Sequence, residues 1–184
     1  IDLYIANNRI IDLTSKDLSS AYNELLTTFG TLLPTSAKRK KILKELVDRE
    51  HSMTSYIGEG VALPHARVDM KRPFALAVGR CPAGLAFEGK DSYEDIRFVF
   101  LLLASKKAKN YLSFLASLAR AFQDKATMDQ LWMAREKAEF KTAVRKAFVG
   151  TDDRPARRRT KFNKLLTDEA SKIAKAAECS TILV

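Results

Sequence analysis

The chain has 184 residues, enough for one domain of ordinary size with room for an appendage. Hydrophobic residues at 46% and charged residues at 29% exclude a disordered chain. The longest apolar run, Phe98 to Ala104, falls far short of the ~18 residues a membrane span takes.

The net charge of +10 favours anionic partners. No zinc-finger spacing, RNP motif or aromatic-interleaved basic stripe accompanies it, so nucleic acid is not the expected partner. The tail from Thr151 to Val184 carries eight Lys/Arg and five Asp/Glu, leaving +7 for residues 1–150. The start, Ile1-Asp2-Leu3-Tyr4, has no basic region followed by an apolar one and no initiator Met, so a fragment without a signal peptide is expected. Cys81 and Cys179 lack metal-ligand spacing. They read as reduced thiols of a cytoplasmic protein, with no metal and no cofactor expected.

In chain order, Arg9 to Leu13 suggests a short edge strand. Leu18, Ala21, Tyr22, Leu25, Leu26 and Phe29 then fall at helical spacing, with Thr14 and Asp17 as a capping box and Gly30 as the stop. Pro34-Thr35-Ser36 opens a second helix whose buried stripe is Ile42, Leu43, Leu46 and Val47, ending near Arg49 to Ser52. Its lysines and Arg39 read as a solvated face. Pro73 to Arg80 reads as a strand. Pro82, Gly84 and Gly89 punctuate the following connection, with Cys81 as a filler beside a turn. Arg97 to Ala104 reads as a strand buried on both faces. Tyr111, Leu112, Leu115, Leu118, Ala119 and Phe122 mark a long amphipathic helix. Thr127 with Gln130 caps a short one through a packed Trp132. Phe140, Ala143, Val144, Ala147 and Phe148 mark another, which Gly150 stops. Helices before, between and after short strands predict an α/β fold: a single mixed β-sheet flanked by helices. Residues 1–150 form this domain and 151–160 a basic linker. Residues 161–184 form a helix and a strand, which either pack back or open a second α/β domain cut off at Val184.

The segment with most chemistry is Ile57-Gly58-Glu59-Gly60-Val61-Ala62-Leu63-Pro64-His65-Ala66-Arg67. Pro64 holds Leu63 extended and stiffens the loop. Gly58 and Gly60 allow backbone N–H groups close to a ligand. The chain has only two histidines, and a neutral imidazole is a competent nucleophile near pH 7. Attack on a phosphoryl donor needs positive charge or N–H dipoles around the equatorial oxygens, and Arg67 and Arg49 are candidates. Spacing alone favours a plainer reading, with a packed loop histidine and glycines that only make a hairpin. The glycines are no dinucleotide fingerprint, since the third glycine and the following helix are missing.

Together with Leu46-Val47-Asp48-Arg49-Glu50, this segment resembles the fructose/mannitol-type IIA domain of the bacterial phosphoenolpyruvate-dependent sugar phosphotransferase system, a family that includes nitrogen-regulatory IIA proteins. The likeness extends over about Ile10 to Gly150. It implies a phosphotransferase/anion transport protein-like fold, with His65 accepting a phosphoryl group from the histidine phosphocarrier protein and passing it to a IIB domain. Arg49 would stabilise the phosphorylated state. Arg67, Gly58, Gly60 and Tyr111 are the phosphate-binding candidates, and a membrane permease or appended domain is an implied partner. One departure stands out. Where the family usually carries a second histidine, this chain has Tyr111, which can donate a hydrogen bond but stays neutral near pH 7. A regulatory or docking domain of a larger signalling or transport protein, with weak or lost phosphotransfer, is therefore a second reading. A nucleic-acid-binding tail around Arg154 to Lys161 is a third, against a solvated linker. His51, just past Arg49, reads as a helix C-terminal cation rather than a catalyst.

Overall fold

The computed structural model describes residues 4–87 and 96–148. The expected linker, the expected C-terminal helix and strand, Gly89, Gly150 and Cys179 lie outside them. Six strands form one mixed sheet: β1 (Ile5–Asp12), β2 (Tyr56–Gly58), β3 (Val61–Ala62), β4 (His65–Val68), β5 (Phe74–Leu85) and β6 (Ile96–Ser105). The order is β1-β5-β6-β3-β2, with β4 also pairing β6. β5 and β6 pair antiparallel at the centre, while β1 runs parallel to β5, and β3 and β4 run parallel to β6.

The two central strands are apolar without a break from Phe74 to Gly79 and from Phe98 to Ala104, because both faces are covered there. Side chains alternate across a strand. Phe74, Leu76, Val78, Phe98, Phe100 and Leu102 meet α3 (Tyr111–Ala121), α4 (Lys125–Met133) and α5 (Lys137–Phe148) through Phe114, Leu118, Leu131, Phe140 and Val144. On the other face, Ala75, Ala77, Val99, Leu101 and Leu103 pack on α1 (Leu18–Thr27) and α2 (Ser36–Ser52) through Leu18, Tyr22, Leu25, Ile42 and Leu46. The result is a three-layer α/β/α arrangement, as the sequence predicts.

Local chemistry differs from expectation at several places. Thr14 does not cap α1: Asp17 does, accepting from the Ser20 N–H at 2.8 Å, and the Thr14 N–H is held by the Glu24 carboxylate. Likewise Asp124, not Thr127, caps α4. A carboxylate next to the first turn is as good an acceptor as a hydroxyl and adds a favourable charge at the dipole's positive end. Strand β5 continues through Pro82 and Gly84, where a turn is expected, because its pairing with β6 shifts register between Arg80 and Leu85. Such a bulge tolerates a residue with no N–H. Trp132 is not packed away: it is 45% exposed, edge-on to Phe98 and beneath the Arg97 guanidinium. Cys81 is buried, its thiol directed at the Gly84 carbonyl, 3.3 Å away.

Candidate phosphoryl-transfer site

His65 owes its position to one interrupted strand. Val61 pairs with Phe98, Ala62 with Val99 and His65 with Leu102, a constant offset, so β3 and β4 lie on one line beside β6. The break falls at Leu63-Pro64. Pro64 has no N–H to give the ladder, but its carbonyl still accepts from the Leu102 N–H at 2.9 Å. The Leu63 N–H turns away to the Ser55 carbonyl, 2.9 Å. The freed Leu63 carbonyl lies 3.1 Å from His65 Nδ1. A carbonyl only accepts, so Nδ1 carries the proton and Nε2 keeps its lone pair.

The ring is partly exposed at its edge but closely surrounded. Its pKa is pushed down to about 4, chiefly by desolvation and next by the Arg49 guanidinium, with the Leu63 carbonyl and Glu50 opposing. Lost hydration and a nearby cation both penalise the imidazolium. In an NMR titration of the ring, the midpoint is expected near 4, well below the ~6.5 of a free histidine. The folded pKa lies below the unfolded one, so the domain is not destabilised by this group above pH ~6.5. It loses stability as pH falls toward 4, by at most about 3 kcal/mol, because only the unfolded chain takes up the proton in that window. A midpoint at 6 or above would contradict this environment.

Tyr111, the first residue of α3, forms the opposite wall, with ring centroids 6.0 Å apart. Burial pushes its phenol up to about 12 against the pull of Arg49 and Arg67, so it is a neutral hydrogen-bond donor at any physiological pH. The Asn110 side chain makes no capping bond, so the first N–H groups of α3 are not met by it. The Arg67 guanidinium lies 5.5 Å from the Tyr111 ring centroid and donates to the Lys106 carbonyl, bracing the wall of the site.

The structure separates Gly58 and Gly60 from this group. Gly58, Glu59 and Gly60 all have positive φ (99°, 52° and 74°) and turn the β2–β3 hairpin. The Gly60 carbonyl accepts from the N–H groups of Arg97 and Phe98 at the far end of β6. His65 lies five residues further along the strand line, roughly 16 Å. The hairpin reading of the glycines is the one the geometry supports. His51 packs against Phe87, centroids 4.9 Å apart, in the last turn of α2.

One residue of this neighbourhood was not legible as such. Glu50, 2% exposed, accepts from the Tyr22 hydroxyl (2.7 Å), the Ser55 N–H (2.8 Å) and the Thr54 hydroxyl (3.2 Å). It ties the end of α2 to α1 and to the turn before β2, next to Arg49. The available signal is its spacing: Ile42, Leu46 and Glu50 are four apart, which puts the carboxylate on the buried stripe.

A neutral imidazole with a free Nε2, a guanidinium beside it and a phenol opposite suits a phosphoryl group better than a metal. Among the described residues no cluster of His, Cys, Asp or Glu could hold a metal ion. Residues 11–147 match the family described as phosphoenolpyruvate-dependent sugar phosphotransferase system, EIIA 2. The fructose-specific EIIABC component of Bacillus subtilis (strain 168) is 29% identical over 125 residues, 66% of this chain. The match spans 19% of that much longer protein. Two solved structures share the fold. Nitrogen regulatory protein IIA-Ntr of Neisseria meningitidis has a TM-score of 0.65 at 20% identity, covering 77% of this chain and 97% of that one. The mannitol IIA of Escherichia coli, in complex with phosphorylated IIB, has a TM-score of 0.54 at 21% identity, covering 75% and 95%. With the family match spanning residues 11–147, this chain belongs to the EIIA 2 family of the phosphoenolpyruvate-dependent sugar phosphotransferase system.

Proposed function

We propose that the domain carries a phosphoryl group on His65 Nε2, taking it from a phosphorylated histidine carrier protein and handing it to a IIB domain. The observation that carries this reading is the Nδ1–H donated to the Leu63 carbonyl, which leaves Nε2 unprotonated in a site where the imidazolium is disfavoured. The Nε2 lone pair attacks phosphorus. The N–P bond of the donor breaks as the new one forms, and the donor nitrogen leaves with its electron pair. Reversal of the same step with the acceptor's nucleophile empties the site. Arg49 serves twice: the charge that disfavours a proton on His65 also attracts the equatorial phosphoryl oxygens. Tyr111 supplies a neutral donor where a second imidazole would otherwise supply a titrating one.

The test is phosphorylation of the full chain by phosphoenolpyruvate with the upstream enzyme and carrier. Acid-labile phosphate attached at Nε2 of His65, read by ³¹P and ¹⁵N NMR, is expected, and its absence overturns the reading. Arg49→Ala is expected to slow acceptance by about 10- to 100-fold with little change in stability, since Arg49 is exposed. The regulatory reading keeps one specific support, the Tyr111 departure. It gains ground if phosphorylated His65 forms but passes nothing to IIB.

A further inference from the structure

The surface around His65 is cationic to a degree the transfer chemistry does not require. Strands β4 and β6 run parallel, so the segments that follow them emerge on the same edge of the sheet. They bring Lys71 and Lys107 to one cleft, with Arg72 and Lys109 on the same two segments and Arg67 and Arg49 closer to the imidazole, and all six side chains are exposed. Among the described residues none of the six forms an ion pair. The exposed carboxylate on these segments, Asp69, is already engaged: its Oδ2 lies 3.6 Å from Lys106 Nζ, and its carbonyl accepts from Lys38 Nζ. An open cleft of about 610 Å³ lies between the two segments, lined by Met70, Lys71, Pro73, Ser105 and Lys107. A single phosphoryl group is served by Arg49 and the groups next to it. The outer four cations lie beyond it and can act only on something wider.

We infer that the phosphoryl-transfer partner of this domain is a protein whose phosphohistidine is surrounded by acidic side chains, which dock on the rim formed by Lys71, Arg72, Lys107 and Lys109. The inference rests on the transfer reading above and adds the chemistry of the partner. Like charges across an interface raise the cost of docking, whereas opposite potentials steer encounter and raise the association rate. A carrier with a basic face would meet this rim at a disadvantage. Lysines at an exposed rim act through the rate of encounter more than through lifetime of the complex, so the effect is screened by salt.

The experiment uses the full chain and two phosphorylated histidine carrier proteins, one acidic around its phosphohistidine and one basic. Phosphoramidate is the small donor that has no face to dock. It gives its phosphoryl group to Nε2 as its P–N bond breaks and, with a proton from water, releases ammonia. The acidic carrier is expected to transfer about tenfold faster at low salt, and the advantage to collapse between about 0.05 and 0.5 M salt. Arg72→Glu with Lys107→Glu is expected to reverse the preference while phosphoramidate labelling changes far less. Equal rates, a preference for the basic carrier or insensitivity to salt would overturn the proposal. So would competitive binding of duplex RNA or anionic vesicles that is tighter than the acidic carrier's. If phosphoramidate leaves His65 unlabelled, the transfer reading fails by itself. Amide chemical-shift titration with the unphosphorylated carriers still reads the rim: perturbations centred on residues 71–72 and 107–109 with the acidic carrier alone support it, and none refutes it.

Discussion

His65→Ala is expected to abolish acid-labile phosphate on this chain, lowering acceptance by at least about 10⁴-fold, the scale of losing a nucleophile from a covalent mechanism. His51 cannot take over. It sits in the last turn of α2 against Phe87, without the backbone carbonyl that fixes the tautomer of His65. The variant is expected to fold, because the imidazole's hydrogen bond to the Leu63 carbonyl lies at a partly exposed edge. It also gains acid stability, since the desolvated ring that resists protonation is gone. The measurement is labelling from phosphoenolpyruvate, paired with circular dichroism. Undiminished label in the alanine variant would place the acceptor elsewhere. A lost label with a lost fold would be resolved by His65→Gln, which keeps a polar group opposite the Leu63 carbonyl.

Glu50→Ala lowers stability by about 3–5 kcal/mol, the cost of stripping the acceptor from buried donors. The Tyr22 hydroxyl, fully buried, and the Ser55 N–H lose the carboxylate that orders them. For a chain of this size that is a fall of about 6–20 °C in melting temperature. Glu50→Gln retains two lone pairs on one oxygen and is expected to lose about half as much. Phosphoryl acceptance falls in both variants even below the melting transition, because the end of α2 that carries Arg49 is anchored through this residue. Thermal and urea unfolding, with acceptance measured at a temperature where each variant is folded, separate the two effects. A melting temperature within a degree of the parent would remove Glu50 from the account.

The pattern of hydrophobic residues was enough to read the layers. The unbroken apolar runs of β5 and β6 and the helical spacing on α1, α2, α3 and α5 depend on neighbours within one turn or one pleat, so they are written locally. His65 and Arg49 were singled out together through the family resemblance of their motif, and the hairpin was legible from its glycines. The caps were misread because aspartates and hydroxyls are both good caps, and a three-residue difference in helix start, from Thr14 to Asp17 and from Thr127 to Asp124, decides between them.

Tertiary structure alone decided three things. It placed the glycine turn at one end of β6 and the imidazole further along it, because a strand is stiff and keeps residues five apart about 16 Å from each other. It brought Tyr111 and Arg67 together at the mouth of the site, through the parallel pairing of β4 and β6 and the helix that follows β6. And it gave His65 its chemistry. The sequence supplies an imidazole with an ordinary affinity for protons. Only the Leu63 carbonyl, the loss of hydration and the charge of Arg49 on α2 make it a neutral imidazole with the proton on Nδ1, since proton affinity depends on surroundings that no run of neighbouring residues specifies.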